Sequence, residues 1–256
     1  MKRIIYYILP AALLATACTR TTDIDGGKGY GVIAIAAALS AQTDADNGSP
    51  FIYDGPFTPN ESNLALTVTD ADGVTRQWDS VAEYNAEEHY FAAGEYDIEL
   101  SYGDSNDEGY DKPCYAGTAH VVVKPRTATN ATVTVAIANS LVIIECSDNF
   151  GNYFPEADFK VVTEADNTFD VQTPMDEPLF VSAGQTFTIE CTARKQTGET
   201  VVFPPESIGI TQPRTRYIVK YDVAQAGGAM LTISLNDQPV EVIDIENELN
   251  DKSLPD

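Results

Sequence analysis

Residues Glu95–Tyr102 read EYDIELSY. Tyr96, Ile98, Leu100 and Tyr102 alternate with Glu95, Asp97, Glu99 and Ser101. Successive side chains of an extended chain point to opposite faces, so this run specifies a strand with one buried face and one wet face. The same period recurs at Leu64, Leu66 and Val68, at Val133, Val135 and Ile137, and at Phe187, Ile189 and Cys191. It returns at Tyr217, Val219, Tyr221 and Val223 and at Leu231, Ile233 and Leu235. Leu141–Ile144 is apolar throughout, as in a strand covered on both faces. Asn47-Gly48, Asp72-Gly73, Gly151-Asn152, Thr197-Gly198 and Gly227-Gly228 punctuate these runs as turns. The pattern predicts an all-β chain of antiparallel β-sandwiches. One short helix is expected over residues 79–85, where Ser80 and Glu83 form a capping box and Val81 and Tyr84 lie three apart.

A comparison within the chain sets the domain count. Residues 90–100 read YFAAGEYDIEL and residues 180–191 read FVSAGQTFTIEC. With one residue inserted, Ala93-Gly94 matches Ala183-Gly184, Tyr96 matches Phe187, Ile98 matches Ile189 and Glu99 matches Glu190. Two similar sandwiches in tandem are therefore expected, residues 29–125 and 126–245, divided near Lys124-Pro125-Arg126. Residues 240–245 would close the second as an edge strand, with a β-bulge where the alternation slips between Val242 and Ile243. Residues 246–256 form an acidic tail.

The N-terminus speaks to location. Met1-Lys2-Arg3 precedes an apolar run from Ile4 to Leu14 and the small residues Ala15-Thr16-Ala17, so residues 1–17 have the form of a signal peptide. The run is too short to span a bilayer, which takes about 20 apolar residues. Cys18 follows at once. Ala15-Thr16-Ala17 fits an ordinary cleavage site, and LATAC also resembles a bacterial lipobox, in which the cysteine is lipidated and becomes the first mature residue. The second reading explains why a thiol stands at the junction. Residues 18–28, with Gly26-Gly27, would then be a flexible tether. Each buried methylene contributes about 0.8 kcal/mol, so an anchor of two or more chains holds firmly. Thr19 after the cysteine, in place of Asp, resembles lipoproteins routed to the outer membrane.

The formal charge is −24, and removal of Lys2 and Arg3 takes the mature chain to −26. Such a surface argues against nucleic acid or anionic lipid as a partner, because both need Lys and Arg to neutralise phosphate. Of the cysteines, Cys114, Cys146 and Cys191 remain besides Cys18, an odd set suited to buried free thiols rather than to a disulfide scaffold. No catalytic motif stands out. His89 and His120 are the only histidines, and neither belongs to a recognisable nucleophile or metal motif. Asp104-Ser105-Asn106-Asp107-Glu108-Gly109 matches the start of an EF-hand loop, which makes Asp104, Asn106, Asp107 and Glu108 candidate Ca²⁺ ligands. Tyr115 stands where the closing Glu belongs. Tyr102, Tyr110 and Tyr115 gather around the same loop and are candidates for stacking on a glycan or for covering a sandwich end. Phe51, Tyr53 and Phe57 form a second aromatic loop.

Several of these residues carry a resemblance. Gly94 and Tyr96 begin a strand, Tyr102-Gly103-Asp104 form a turn, and Gly109-Tyr110-Asp111 with Pro113 make an acidic loop. Tyr115 and Gly117 then open a strand, and Ala138-Asn139 open another. In this pattern the chain resembles the DUF4493 lipoproteins of Bacteroides-type bacteria, from about Tyr30 to Ile245. That family looks similar to fimbrillin-type proteins, lipoproteins of two transthyretin-like sandwiches. The resemblance implies a surface adhesin or fimbria-like component and brings no catalytic residue. In fimbrillins a cut after an arginine can remove the first strand and leave a groove for a partner's strand; a cut at Arg20 would release the lipid rather than the strand over 31–39, so that step is not carried over. The expected protein is therefore a non-enzymatic, lipid-anchored surface protein that joins protein partners by strand addition. The alternative is a carbohydrate- or calcium-dependent binding module of a glycan-uptake system.

Overall fold

The computed structural model describes residues 29–40, 53, 55–225, 228–235 and 238–243, with side chains described as far as residue 223. The signal peptide, the whole tether with Cys18, Asn47-Gly48, Phe51 and the acidic tail lie outside the described residues.

The alternating stretches become strands. In the first half these are β1 (Tyr30–Leu39), β2 (Ala65–Asp70), β3 (Thr75–Trp78), β4 (Tyr90–Ala92), β5 (Gly94–Tyr102), β6 (Tyr115–Val123) and β7 (Ala128–Ile137), with helix α1 (Val81–Ala86) before β4. EYDIELSY is the body of β5, with Tyr96, Ile98 and Leu100 buried and Glu95, Asp97 and Glu99 exposed. The seven strands run in the order β3-β2-β5-β6-β7-β1-β4. β6 and β7 share only two residue pairs, Tyr115↔Ile137 and Ala116↔Ala136. Beyond them the sheet opens into two limbs that enclose one core, with Leu66, Ile98 and Leu100 from one limb and Ile33, Phe91 and Val133 from the other. Gly117 sits where the limbs part: a Cβ there would lie 2.3 Å from the Thr134 carbonyl oxygen.

The second half comprises β8 (Ser140–Cys146), β9 (Glu156–Thr163), β10 (Thr168–Val171), β11 (Leu179–Val181), β12 (Phe187–Arg194), β13 (Thr200–Val202), β14 (Glu206–Ile208), β15 (Arg216–Gln225), β16 (Gly228–Leu235) and β17 (Gln238–Ile243). Its sheets run β10-β9-β12-β13, with β14 also on β12, and β11-β8-β15-β16-β17. They enclose a second core that includes Val142, Ile144, Phe159, Phe187, Ile189 and Val219.

The pairing scheme repeats. The order β3-β2-β5-β6 recurs as β10-β9-β12-β13, and β4-β1-β7 recurs as β11-β8-β15. The matching stretches at 90–100 and 180–191 occupy corresponding places, since each runs from a short strand (β4 or β11) through an Ala-Gly turn into a central strand (β5 or β12).

The all-β class is as the alternation predicts, with four differences. β1 pairs β7 and β8 pairs β15 in parallel, because period-two alternation reports which face is buried and is silent on strand direction. Lys124-Pro125-Arg126 is a tight turn inside the first sheet, with Arg126 at φ 56° and its N–H donating to the Tyr30 carbonyl (2.7 Å). The chain passes from the first core to the second at Ala138-Asn139, since β7 still packs with β1; Pro beside charged residues marks a turn as readily as a linker. Gly151-Asn152 lies within a second helix, α2 (Asp148–Tyr153), capped by Ser147 and driven by Phe150, which is buried in the second core. The bulge in β17 falls at Val240, because Ile233 faces Glu241 while Ser234 faces Pro239. Pro239 has no N–H for a regular ladder, which places the irregularity beside it.

α1 forms at the expected capping box. Ser80 Oγ accepts from Glu83 N (3.0 Å), and Glu83 Oε2 accepts from Asp79 N (3.1 Å). Tyr84 donates its hydroxyl to the Ile33 carbonyl (2.7 Å) and ties the helix to β1. Ser80→Ala is expected to cost about 1 kcal/mol, read as a lower urea midpoint at unchanged slope.

Candidate functional site: the loop joining the two cores

Glycine and proline shape the connection between β5 and β6. Gly103 adopts φ +74°, and a Cβ on it would lie 2.5 Å from the Pro113 carbonyl oxygen. Asp104 Oδ1 accepts from the N and Nδ2 of Asn106 (2.9 and 3.0 Å), which closes a local turn. The chain then reaches across to the second half. Glu108 Oε2 accepts from the Thr163 hydroxyl (2.6 Å) and Asn167 Nδ2 (2.9 Å), while its Oε1 accepts from Ser182 N (2.9 Å). Gly109, at φ +147°, exchanges both backbone hydrogen bonds with Phe180 at 3.0 Å. Tyr110 packs against the second core and donates its hydroxyl to the Asp170 carbonyl (3.0 Å).

Two residues return the contact. Phe180 belongs to β11 yet lies in the first core, fully buried, with its ring edge-on to Tyr53 at 5.2 Å. Asn139, at the crossover, is 1% exposed. Its Oδ1 accepts from Cys114 N (3.2 Å), its Nδ2 donates to the Lys112 carbonyl (2.8 Å), and its own carbonyl accepts from Arg214 N (3.1 Å). The loop is thus a joint between the cores.

This placement changes how the candidate ligands are understood. Asp104, Asn106, Asp107 and Glu108 are not brought together as a coordination shell: Asp104 serves its own turn, Asp107 lies 3.8 Å from Lys112, and Glu108 is turned into the second half. Among the described residues no group of three or more His, Cys, Asp or Glu side chains is arranged to hold a metal ion. Tyr102, Tyr110 and Tyr115 do not make an exposed stacking platform either. Tyr102 packs on the first core, Tyr115 is buried within it with its phenol pushed up to about 12 by burial, and Tyr110 plugs the second core. They cover and fill the sandwich ends. Asn139 stands out in the sequence as a motif residue at a strand start, with no sign of its role as a link, and nothing local marks Phe180 as a bridge.

Other reactive groups serve structure. Cys114, Cys146 and Cys191 are free, and burial raises each thiol, Cys191 to about 12, so none is a thiolate nucleophile at neutral pH. His89 stacks on Tyr84 at 4.6 Å beside Trp78. His120 is exposed, as its strand predicts, and its Nδ1 lies 2.8 Å from Asp97 Oδ1, a hydrogen bond that raises its pKa. The folded state therefore favours the protonated ring. That stabilisation is present below the ordinary histidine pKa and disappears as pH rises through the raised one. Asp97→Asn is expected to return the His120 titration, followed by NMR, to the ordinary range.

A family model spans residues 34–251, described as a domain of unknown function, DUF4493. The chain belongs to the DUF4493 family. Among curated proteins none matches it in sequence. It is similar to several solved structures. A candidate polysaccharide-binding protein (DUF1812) of Bacteroides thetaiotaomicron VPI-5482 is 12% identical, with 72% of this chain and 90% of that one covered and a TM-score of 0.40. A fimbrial assembly protein of Parabacteroides distasonis ATCC 8503 is 9% identical, with 70% and 90% covered and a TM-score of 0.45. A candidate cell adhesion protein of Bacteroides ovatus ATCC 8483 is 9% identical, with 84% and 100% covered and a TM-score of 0.43. In this DUF4493 chain the motif residues Tyr102-Gly103-Asp104, Gly109-Tyr110, Pro113 and Asn139 all belong to the joint. They couple two β cores.

Proposed function

We propose that this DUF4493 chain is a non-enzymatic surface lipoprotein, anchored in the outer membrane through Cys18, that works as an adhesin or fimbria-like component and assembles through β-strand edges. The observation that carries this reading is the pair of jointed β cores whose sheets end on strands, such as β3, β4 and β17, with one side unpaired among the described residues. Backbone N–H and C=O groups along such edges recruit a strand from a neighbour. The basic-apolar-small N-terminus ending at Cys18 supports a position outside the cytoplasm. The acidic surface keeps monomers soluble until a specific edge meets its partner. The glycan- or calcium-dependent alternative has less support, since its tyrosines and Glu108 are used in the joint.

The test takes the mature chain through light scattering over a concentration series and through unheated SDS gels. Concentration-dependent oligomers or SDS-resistant ladders are expected, and a strictly monomeric protein would overturn assembly. Cys18→Ser is expected to move the protein from the membrane fraction to the soluble one; an unchanged distribution would remove the anchor.

A further inference from the structure

A groove of about 930 Å³ runs between β8, α2, β9 and the segment after β10. It exists because the chain between Val171 and Leu179 leaves both sheets. β11 pairs with β8 only at Ser140–Val142, and β10 pairs with β9 only at Phe159–Val162. Residues 143–146 and 156–158 therefore have no strand beside them on the groove side among the described residues. The polarity of the β8 edge follows from its other side. Leu141 N donates to Thr215 O (2.9 Å) toward β15, so the even-numbered residues aim their backbone groups away from β15. Ile144 N–H accordingly points to the groove side, where it meets only the thioether of Met175 (Sδ 3.0 Å), a weak and mobile acceptor. By the same period the Cys146 amide faces the same way.

We propose that this groove receives an extended peptide strand bearing Lys or Arg, which displaces the Met175 thioether and pairs with the groove-side edge of β8 at Ile144 and Cys146. The proposal rests on the strand-addition reading above and assigns it a site. The open backbone edge calls for a strand, and the lining sets its side chains. Ile144, Phe150, Phe154 and Val171 give an apolar floor, while Glu145, Asp148, Glu156 and Asp158 are exposed on the rim. Alternate residues of an added strand face opposite ways, so apolar side chains lie over the buried floor while basic ones reach the rim. Glu145 already pairs with Lys220 and Glu156 with Arg194, both at 3.5 Å. Asp148 and Asp158 have no cationic partner among the described residues. Charge rules out the chain's own acidic residues 246–256 as the occupant.

The test uses the mature protein and two capped peptides, VKVKVKV and GKGKGKG, with amide hydrogen exchange followed residue by residue. VKVKVKV is expected to slow exchange at Ile144 and Cys146 by about tenfold or more, and GKGKGKG, equal in charge but with no strand preference, is not. Asp148→Lys with Asp158→Lys, both exposed, is expected to weaken binding by about tenfold or more. Cys146→Pro, which removes a groove-facing N–H, is expected to abolish protection at Ile144 while the melting curve confirms folding. Protection at β3, β4 or β17 instead would overturn the assigned site and leave edge assembly standing. Equal binding of the two peptides, or none, would overturn the proposal. A monomeric protein that still protects Ile144 would sink the assembly reading alone.

Discussion

Phe180→Ala is expected to destabilise the protein by about 3–5 kcal/mol, the usual cost of emptying a buried phenylalanine site. The reason lies in where the ring sits. Its backbone is strand β11 of the second half, paired to β8, while its side chain is fully buried in the first core against Tyr53. Removing the ring hollows one core without touching the pairing of the other. The expected signature is therefore more than a lower melting temperature: calorimetry should separate one transition into two, the first half unfolding earlier. Phe180→Leu, which keeps most of the volume, should restore a single transition. A loss under about 1 kcal/mol with unchanged cooperativity would show that the ring does not couple the cores.

Glu108→Ala comes second in size, at about 2–3 kcal/mol. Its carboxylate takes hydrogen bonds from Thr163, Asn167 and the Ser182 amide. Bonds to a charged acceptor are worth about 1.5–3 kcal/mol each, but they are not additive, and water can reach the half-buried site in part. Truncation leaves the Ser182 N–H without its acceptor. Urea unfolding measures the loss, and a double-mutant cycle with Thr163→Ala should return a coupling of at least about 0.5 kcal/mol. Additive effects would mean that the contact does not bind the halves together. Calcium should not rescue the variant, because Glu108 contributes to the joint.

The two halves were legible to different degrees. Tyr96, Ile98 and Leu100 declared β5 on their own, because strand burial is a local, period-two property. Ser80 and Glu83 declared α1 for a similar reason, since a cap acts within one turn. Phe150 shows the limit: Gly151-Asn152 favours a turn, yet a buried aromatic in the second core carries the segment into helix. Lys124-Pro125-Arg126 had the composition of a linker, and only the pairing of β6 with β7 shows that it is a turn within one sheet. The loop at 104–110 is marked in the sequence by its acidic and aromatic residues, but its role as a joint is not. Acidic and aromatic residues at a loop tip look the same in sequence whether they face a ligand or another part of the chain. The contacts that decide lie 55 to 77 residues away.

By itself, the sequence determined that this chain is mainly β with a short helix after Ser80, that its pattern occurs twice, and which side of β2, β5, β7 and β12 faces a core. Those properties follow from alternation, turn residues and capping, which act over a few positions. Tertiary structure alone decided the parallel pairing of β1 with β7 and of β8 with β15, the crossing at Ala138-Asn139, and the turning of Glu108, Tyr110 and Phe180 into the opposite core. It also ended the pairing of β11 with β8 at Val142, beside the groove. Such outcomes depend on which distant surfaces exclude water together, and no local period encodes them.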